Sequence, residues 1–114
     1  MKLVIAGSRF ADLSDTDMAR LDAIHSEHEI TEVVSGGAKG VDAAGERWAT
    51  SRGIPVKVFK ADWGRYRRGA GPVRNKQMAQ YADAVVVFRG GSGTRNMRDE
   101  ARKAGRLIFD FMTS

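Results

Sequence analysis

The chain has 114 residues, of which 42% are hydrophobic. A chain of this length and composition can form one compact domain, which we expect to span residues 1–114. The lack of cysteine excludes a disulfide framework, a thiolate nucleophile and a cysteine-bound zinc, and His25 and His28 alone make a poor metal site, so neither a metal nor a cofactor is expected. The net charge is +5, and because no apolar run is long enough for a membrane span or a signal peptide, we expect a cytoplasmic protein without a membrane partner.

Apolar runs and turn residues predict strands and helices in alternation along the chain. The predicted strands cover residues 2–6, 31–35, 55–59, 83–88 and 107–111. The predicted helices run from Ser14 or Asp15 to about residue 28, from about 42 to 52, from 72 to about 81, and from beyond Thr94 to Gly105. This alternation implies parallel pairing through right-handed crossovers. The sequence therefore predicts an α/β fold, a doubly wound sheet of about five parallel strands with helices on both faces.

The connection at residues 60–71 is long for a compact domain and is rich in arginine and glycine. We expect a structureless loop with a functional role, since long loops of this composition more often carry function. Between Lys60 and Lys76, six basic residues stand against one acid, Asp62, whereas the thirteen basic and thirteen acidic residues elsewhere cancel. This segment therefore holds the whole excess charge, which favours a local anionic ligand over a broad nucleic-acid surface.

The side chains of this connection have more than one interpretation. Trp63 and Tyr66 are able to stack on a base, but a tryptophan after a strand more often anchors its loop to the core. Arg65, Arg67 and Arg68 are interpreted as solvent-exposed charges that attract an anion.

Glycine-rich turns follow three of the predicted strands. They are Gly7-Ser8-Arg9, Gly36-Gly37-Ala38-Lys39-Gly40 and Gly90-Gly91-Ser92-Gly93-Thr94. Ligands of open parallel sheets bind beyond the carboxyl ends of the strands, where backbone N–H groups and helix N-termini attract anions. One such turn is more simply a tight connection, but three on one edge, joined by a basic segment, predict a phosphate site. A Cβ at Gly37 or Gly91 is expected to hold the backbone away from the phosphate or to strain the turn.

Several side chains near that edge have chemistry that suits a phosphate. Arg9 and Arg74 are the best candidates because a guanidinium engages an anion with two donors, and the alternative for each is a solvated surface charge. Asp42 can cap the following helix, bind a ribose hydroxyl or act as an acid or base, and capping alone would explain it. The hydroxyl donors are Ser8, Ser35, Ser92 and Thr94. None of them is a convincing nucleophile, since no histidine is placed to activate it.

Together, the three glycine turns, Ala61-Asp62-Trp63 and Gly71-Pro72-Val73-Arg74-Asn75 resemble the YspA-like, cpYpsA-related branch of the SLOG superfamily. The resemblance covers nearly the whole chain in the right order. SLOG domains are Rossmann-like and are associated with nucleotides and nucleotide-derived signals, so the resemblance implies that fold and that ligand class. Trp63 and Asn75, which lie within these motifs, are expected among the ligand-binding residues. Other SLOG proteins tend to self-associate, which makes a homodimer one expectation, although the sequence shows no clear interface stripe.

One stretch is also similar to the Lonely Guy phosphoribohydrolases, which activate cytokinins. Their R-x-x-x-M, D-A and G-G-x-G-T elements correspond in spacing to Arg74 with Met78, Asp83-Ala84, and Gly90 to Thr94. The chain departs from them at Arg89, where they have proline, and at Met97, where they have a catalytic glutamate. Glu100 lies about one helical turn further on. The arginine therefore carries over, and the catalytic acid does not.

Three functions follow from these patterns. The leading one is a module that senses, carries or sequesters a nucleotide-type, phosphate-bearing ligand at the carboxyl edge of the sheet. The alternative is a hydrolase of N-glycosidic or phosphate-ester bonds that uses Arg74 with Asp42, Asp62 or Glu100 as the acid or base. The third is single-stranded nucleic-acid binding by the basic connection. A small-molecule ligand is expected ahead of a nucleic-acid partner.

Overall fold

The chain folds into one parallel sheet with helices on both faces, in a computed structural model that describes residues 1–113. The elements are β1 (Lys2–Ala6), α1 (Asp15–His28), β2 (Glu32–Ser35), α2 (Val41–Ser51), β3 (Val56–Val58), α3 (Trp63–Tyr66), a 3₁₀ turn (Arg67–Gly69), α4 (Ala70–Tyr81), β4 (Ala84–Val87), α5 (Ser92–Lys103) and β5 (Leu107–Asp110). The strand order is β3-β2-β1-β4-β5, and every neighbouring pair is parallel. The predicted α/β, Rossmann-like architecture is therefore confirmed.

The two faces of the sheet carry separate hydrophobic layers. Alternate residues of β1 point to opposite sides, so Leu3 and Ile5 pack with α1 and α2, whereas Val4 packs with α4 and α5. The interior strand β4, between β1 and β5, is buried along its whole length, as expected for a parallel strand covered on both faces. Each layer fixes the positions of two helices relative to the carboxyl ends of the strands.

Local capping explains where the first helices begin and end. The Ser14 hydroxyl accepts a hydrogen bond from the Asp17 N–H at 3.0 Å, and the Asp17 carboxylate accepts one from the Ser14 N–H at 3.1 Å. This reciprocal capping box starts α1 at Asp15. Helix α2 ends just before Gly53, whose φ of +68° is a left-handed conformation that glycine adopts without steric cost.

The structure corrects the prediction for residues 60–71. They are not a structureless loop, because α3 and the 3₁₀ turn occupy residues 63–69 and α4 already begins at Ala70. The Asp62 carboxylate caps α3 by accepting a hydrogen bond from the Arg65 N–H at 3.1 Å. Trp63 is 61% exposed, so the interpretation that it anchors this connection to the core is wrong. A single turn held by a local cap has no apolar stripe that a sequence pattern would reveal.

None of the helices in residues 1–113 is both long enough and apolar enough to cross a membrane.

Candidate functional site

The carboxyl ends of all five strands lie at one edge of the sheet. From β1 the chain adds β2 and β3 on one side and later β4 and β5 on the other, so the strand order reverses between β1 and β4. The turns after these two strands are joined by a hydrogen bond of 2.8 Å that the Ser8 N–H donates to the Arg89 carbonyl. The turn after β2 is tied in as well, because the Val41 N–H donates to the Ser8 carbonyl at 3.0 Å. The predicted convergence of the three glycine turns is therefore confirmed, at the switch point where open α/β sheets bind ligands.

Several of these glycines allow the turns to touch one another. A Cβ on Gly7 would lie 2.8 Å from the Val41 side chain, and one on Gly90 would collide with Thr94. Gly40 has a φ of +73°, and a Cβ there would lie 2.7 Å from the Arg9 Cα. Glycine at these positions therefore allows the backbone segments to pack closely. The Ser8 N–H already donates its hydrogen bond to the Arg89 carbonyl.

Gly37 and Gly91 differ from each other in the strain that a side chain would cause. Gly37 has a φ of +72°, and a Cβ there would lie 2.9 Å from Val58, so strain is confirmed for that position. Gly91 has a φ of −97°, and a Cβ there would meet no atom within 4 Å. Of the two predicted effects of a Cβ at Gly91, strain of the turn is therefore wrong, because the space in front of it is open, and hindrance of a phosphate stays a prediction.

Arg74 and Asp42 meet around Gly36. The Arg74 Nη1 donates to the Gly36 carbonyl at 2.7 Å, and its Nε donates to the Asn75 Oδ1 at 3.0 Å. A Cβ on Gly36 would lie 2.7 Å from the Arg74 Nη1 and 2.9 Å from the Asp42 Oδ2, so only glycine leaves room for both side chains. Burial lowers the pKa of Arg74, and the nearby Asp42 carboxylate opposes that shift. Arg74 is thus a half-buried cation rather than a solvated surface charge.

The pKa of the Asp42 carboxyl is raised to about 6, chiefly by burial and to a smaller extent by the neighbouring Glu46 carboxylate. The hydrogen bond from the Ala38 N–H and the positive charge of Arg74 act in the opposite direction. The Ala38 N–H donates to the Asp42 Oδ2 at 3.3 Å. The capping interpretation of Asp42 is wrong, because the N-cap of α2 is Gly40 and Asp42 lies inside the first turn. Its carboxyl is instead a buried titratable group that packs against the turn after β2.

Asn75 connects α4 to the beginning of α5. Its Nδ2 donates to the Gly93 carbonyl at 3.3 Å and to the Asn96 Oδ1 at 2.8 Å. Asn75 is 5% exposed, so these bonds form in a nearly water-free setting that makes them strong positional constraints. They place Arg74 beside the N-terminus of α5, where Ser92 and Gly93 are exposed and the N-cap, Gly91, has no side chain to cap the helix.

A polar pocket of about 160 Å³ lies on the side of Arg74 that faces α3. Its lining residues are Lys60, Asp62, Arg65, Tyr66, Ala70, Val73, Arg74 and Gln77. Three of these side chains are cationic and one is anionic, so the pocket favours an anion. Arg74 belongs both to this pocket and to the β2 turn, and it connects the two.

Other predicted residues lie apart from this group. Arg9 is exposed, with its guanidinium 5.2 Å from the centre of the Phe10 ring, and Lys39 is exposed. Glu100 lies eight residues beyond Ser92 on α5, about 12 Å along the helix axis, and pairs with Lys103 at 3.9 Å. Met97, at the position where the phosphoribohydrolases carry their glutamate, is 1% exposed and belongs to the core.

Two residues at this edge, Glu46 and Phe10, are not among the residues predicted from the sequence. Glu46 accepts a 2.7 Å hydrogen bond from the Ser35 hydroxyl, which itself accepts one from the Gly37 N–H at 3.1 Å. Its spacing of four from Asp42 on α2 could have shown that both carboxyls share one helix face. Phe10 is 88% exposed directly after the β1 turn, and no periodic pattern predicts such exposure.

The residues in the 1–113 range include no group of three or more histidine, aspartate or glutamate side chains arranged to hold a metal ion. The chemistry of the site is that of a guanidinium, a buried carboxyl and exposed backbone amides.

The sheet order and the switch point define an α/β protein of the Rossmann-like class. The sequence profile of the YspA, cpYpsA-related SLOG family matches residues 1–66. The Gene 61 protein of Mycobacterium phage D29 is 33% identical to this chain in an alignment 119 residues long. The alignment covers 96% of this chain and 95% of that protein. The chain therefore belongs to the YspA, cpYpsA-related SLOG family.

The fold is also similar to a solved structure. The X-ray structure of DNA processing protein A (DprA) from Streptococcus pneumoniae superposes with a TM-score of 0.73 at 20% sequence identity. The superposition covers 96% of this chain but 49% of that one, so the chain spans about half the length of DprA. This likeness establishes the shared fold.

Proposed function

We propose that the protein binds a nucleotide-type ligand, with a phosphate held between Arg74 and the N-terminus of α5. The observation that carries this proposal is the half-buried Arg74 guanidinium, which Asn75 places beside an uncapped helix start. The exposed N–H groups there carry about half a positive charge, and a guanidinium adds a full charge with two donors. Membership of a SLOG family supports a ligand of this class.

The phosphate contact is tested by Arg74→Lys. A lysine keeps the charge but loses the two-donor geometry, so we expect calorimetry to show about tenfold weaker binding of a nucleoside monophosphate. The matched control is Arg106→Lys, because Arg106 also donates to two backbone carbonyls, those of Ala79 and Gln80, but lies outside the site. Equal affinity of the Arg74 variant and the wild type would contradict the proposal.

A second candidate function, hydrolysis of the bound nucleotide, is favoured by one observation. Asp42 has a pKa of about 6, which is the range in which a carboxyl exchanges protons near neutral pH. Incubation with nucleoside monophosphates followed by chromatography tests it. Release of free base or of ribose phosphate that Asp42→Asn abolishes, and that Glu100→Gln leaves intact, would establish the hydrolase. Intact nucleotides after long incubation would exclude it and leave the binding module.

A further inference from the structure

Eight consecutive residues, 62–69, are exposed to solvent, and we call them the α3 segment. The segment carries two aromatic side chains, of which Trp63 is 61% exposed and Tyr66 is 36% exposed. Large aromatic side chains usually bury most of their surface, as Tyr66 does, so the 61% exposure of Trp63 on an ordered turn requires an explanation outside the core. The exposure of Trp63 removes the reason for interpreting it as a loop anchor.

The same segment carries three arginines whose charge the protein does not neutralise. Within residues 1–113, Arg65, Arg67 and Arg68 form no ion pair with a carboxylate. The one acid of the segment, Asp62, uses its Oδ1 to cap α3. The guanidinium of Arg65 lies 5.1 Å from the centre of the Tyr66 ring. Aromatic and cationic side chains are therefore interspersed along one exposed segment of the chain.

The backbone at Arg67 is strained. Its φ of 51° and ψ of −122° lie in a region that glycine adopts readily and that other residues rarely adopt. Glycines stand nearby at Gly64 and Gly69, yet the strained position holds an arginine. The segment therefore carries the charge of Arg67 at a cost in backbone strain.

We propose that the α3 segment is a docking surface for single-stranded nucleic acid, with the arginines on backbone phosphates and Trp63 stacked on an unpaired base. Unpaired bases offer the flat faces that an exposed tryptophan stacks on, whereas a duplex hides them. The anionic headgroups of a membrane would also pair with the arginines. The segment, however, is too short and too polar to insert an apolar face into a membrane.

The segment is continuous with the nucleotide site. Arg65 and Tyr66 line the same pocket of about 160 Å³ as Arg74. A strand that lies on the segment therefore leads toward the Arg74 site, where its terminal nucleotide binds. That last step rests on the proposed function, whereas docking on the segment does not.

The test measures binding of a labelled single-stranded oligothymidylate of about ten nucleotides by fluorescence anisotropy. The triple variant R65Q/R67Q/R68Q should bind it at least tenfold more weakly, and its salt dependence should fall by about two units of slope, from the loss of three phosphate contacts. The control R47Q/R102Q/K103Q removes the same charge from exposed residues of α2 and α5, and it should lose less than twofold. Trp63→Ala should also weaken binding about tenfold, with Trp63→Phe recovering part of the loss.

Three results would overturn the proposal. They are equal affinity of the triple variant and its control, tighter binding of a duplex than of the single strand, and preferential binding of phosphatidylserine vesicles. Calorimetry with a nucleoside monophosphate separates this proposal from the nucleotide site. If the mononucleotide fails to bind while the oligonucleotide binds as described, the Arg74 site is refuted and the α3 segment is supported.

Discussion

The carboxyl edge of the sheet and the α3 segment are both rich in glycine and arginine, but they place these residues in opposite environments. At the edge, Gly36, Gly40 and Gly90 have no room for a Cβ, and Arg74 is tied to a backbone carbonyl. In the α3 segment, a Cβ on Gly69 would meet no atom within 4 Å, and the arginines are exposed. Packing therefore requires glycine at these positions of the edge, whereas the open space at Gly69 shows no such requirement in the segment.

The largest expected effect is that of Gly40→Ala on stability. Gly40 has a φ of +73°, and its Cβ would lie 2.5 Å from the Arg9 carbonyl carbon. A left-handed alanine costs about 1–2 kcal/mol, and forcing two backbone segments apart costs a similar amount. We expect urea denaturation to show a loss of about 3 kcal/mol in the free energy of unfolding.

The matched control for Gly40→Ala is Gly69→Ala in the α3 segment. Gly69 has a φ of −79° and open space around it, so alanine there should change the free energy of unfolding by less than about 0.5 kcal/mol. If the two substitutions cost the same, the contrast between the edge and the segment is wrong.

The next effect concerns the pH dependence that Asp42 introduces at the edge. Its folded-state pKa of about 6 lies above the ordinary value of 3.8, so folding favours the protonated carboxyl. The stabilisation of the folded state by the protonated Asp42 carboxyl is complete below about pH 4 and is lost as the pH rises through 6. At pH 7, Asp42→Asn should therefore be more stable than the wild type by about 3 kcal/mol, and the difference should vanish near pH 4.

Thermal or urea denaturation at several pH values measures this difference. Asp62→Asn is the control, because Asp62 is an exposed acid of the α3 segment and its variant keeps an oxygen that can cap α3. A stability difference between Asp42→Asn and the wild type that stays constant from pH 4 to pH 8 would show that the Asp42 carboxyl is not buried as described.

The sheet could be predicted from the sequence because its strands are short apolar runs that end at turn residues. The first predicted strand, 2–6, matches β1, and the second, 31–35, begins one residue before β2. Of the two residues predicted for the start of the first helix, Ser14 or Asp15, Ser14 is the cap, and a serine with an acid three residues later is a local signal. Local patterns and parallel topology were enough to place the three glycine turns on one edge.

The rest of the site depends on contacts between distant residues, and no local pattern encodes these. The approach of Arg74 to Gly36 joins positions 38 residues apart, and the burial that raises the pKa of Asp42 follows from that packing. The exposure of Trp63 was mispredicted because the same residue type after a strand usually turns inward. The unpredicted turn α3 is stabilised by one side-chain cap rather than by apolar periodicity.

The smallest expected change in stability, and the sharpest test of the edge, comes from giving α5 the kind of cap that α1 already has. Helix α1 begins with the Ser14 hydroxyl on the Asp17 N–H, whereas α5 begins with Gly91, which cannot cap it. Gly91 has open space, so Gly91→Asn and Gly91→Asp should each stabilise the fold by a few tenths of a kcal/mol, and the aspartate slightly more because its charge faces the helix dipole.

Ligand binding should move in the opposite direction, because the new side chain occupies the N–H groups that the proposed phosphate needs. The aspartate variant should bind a nucleoside monophosphate at least tenfold more weakly than the asparagine variant, since about 1.4 kcal/mol of repulsion between two anions suffices for that factor. The two variants have nearly the same shape, so their difference isolates charge at this one position. If both variants melt at a higher temperature than the wild type and bind the nucleotide with equal affinity, then no anion binds at the start of α5. Gly91 would in that case be a turn residue only.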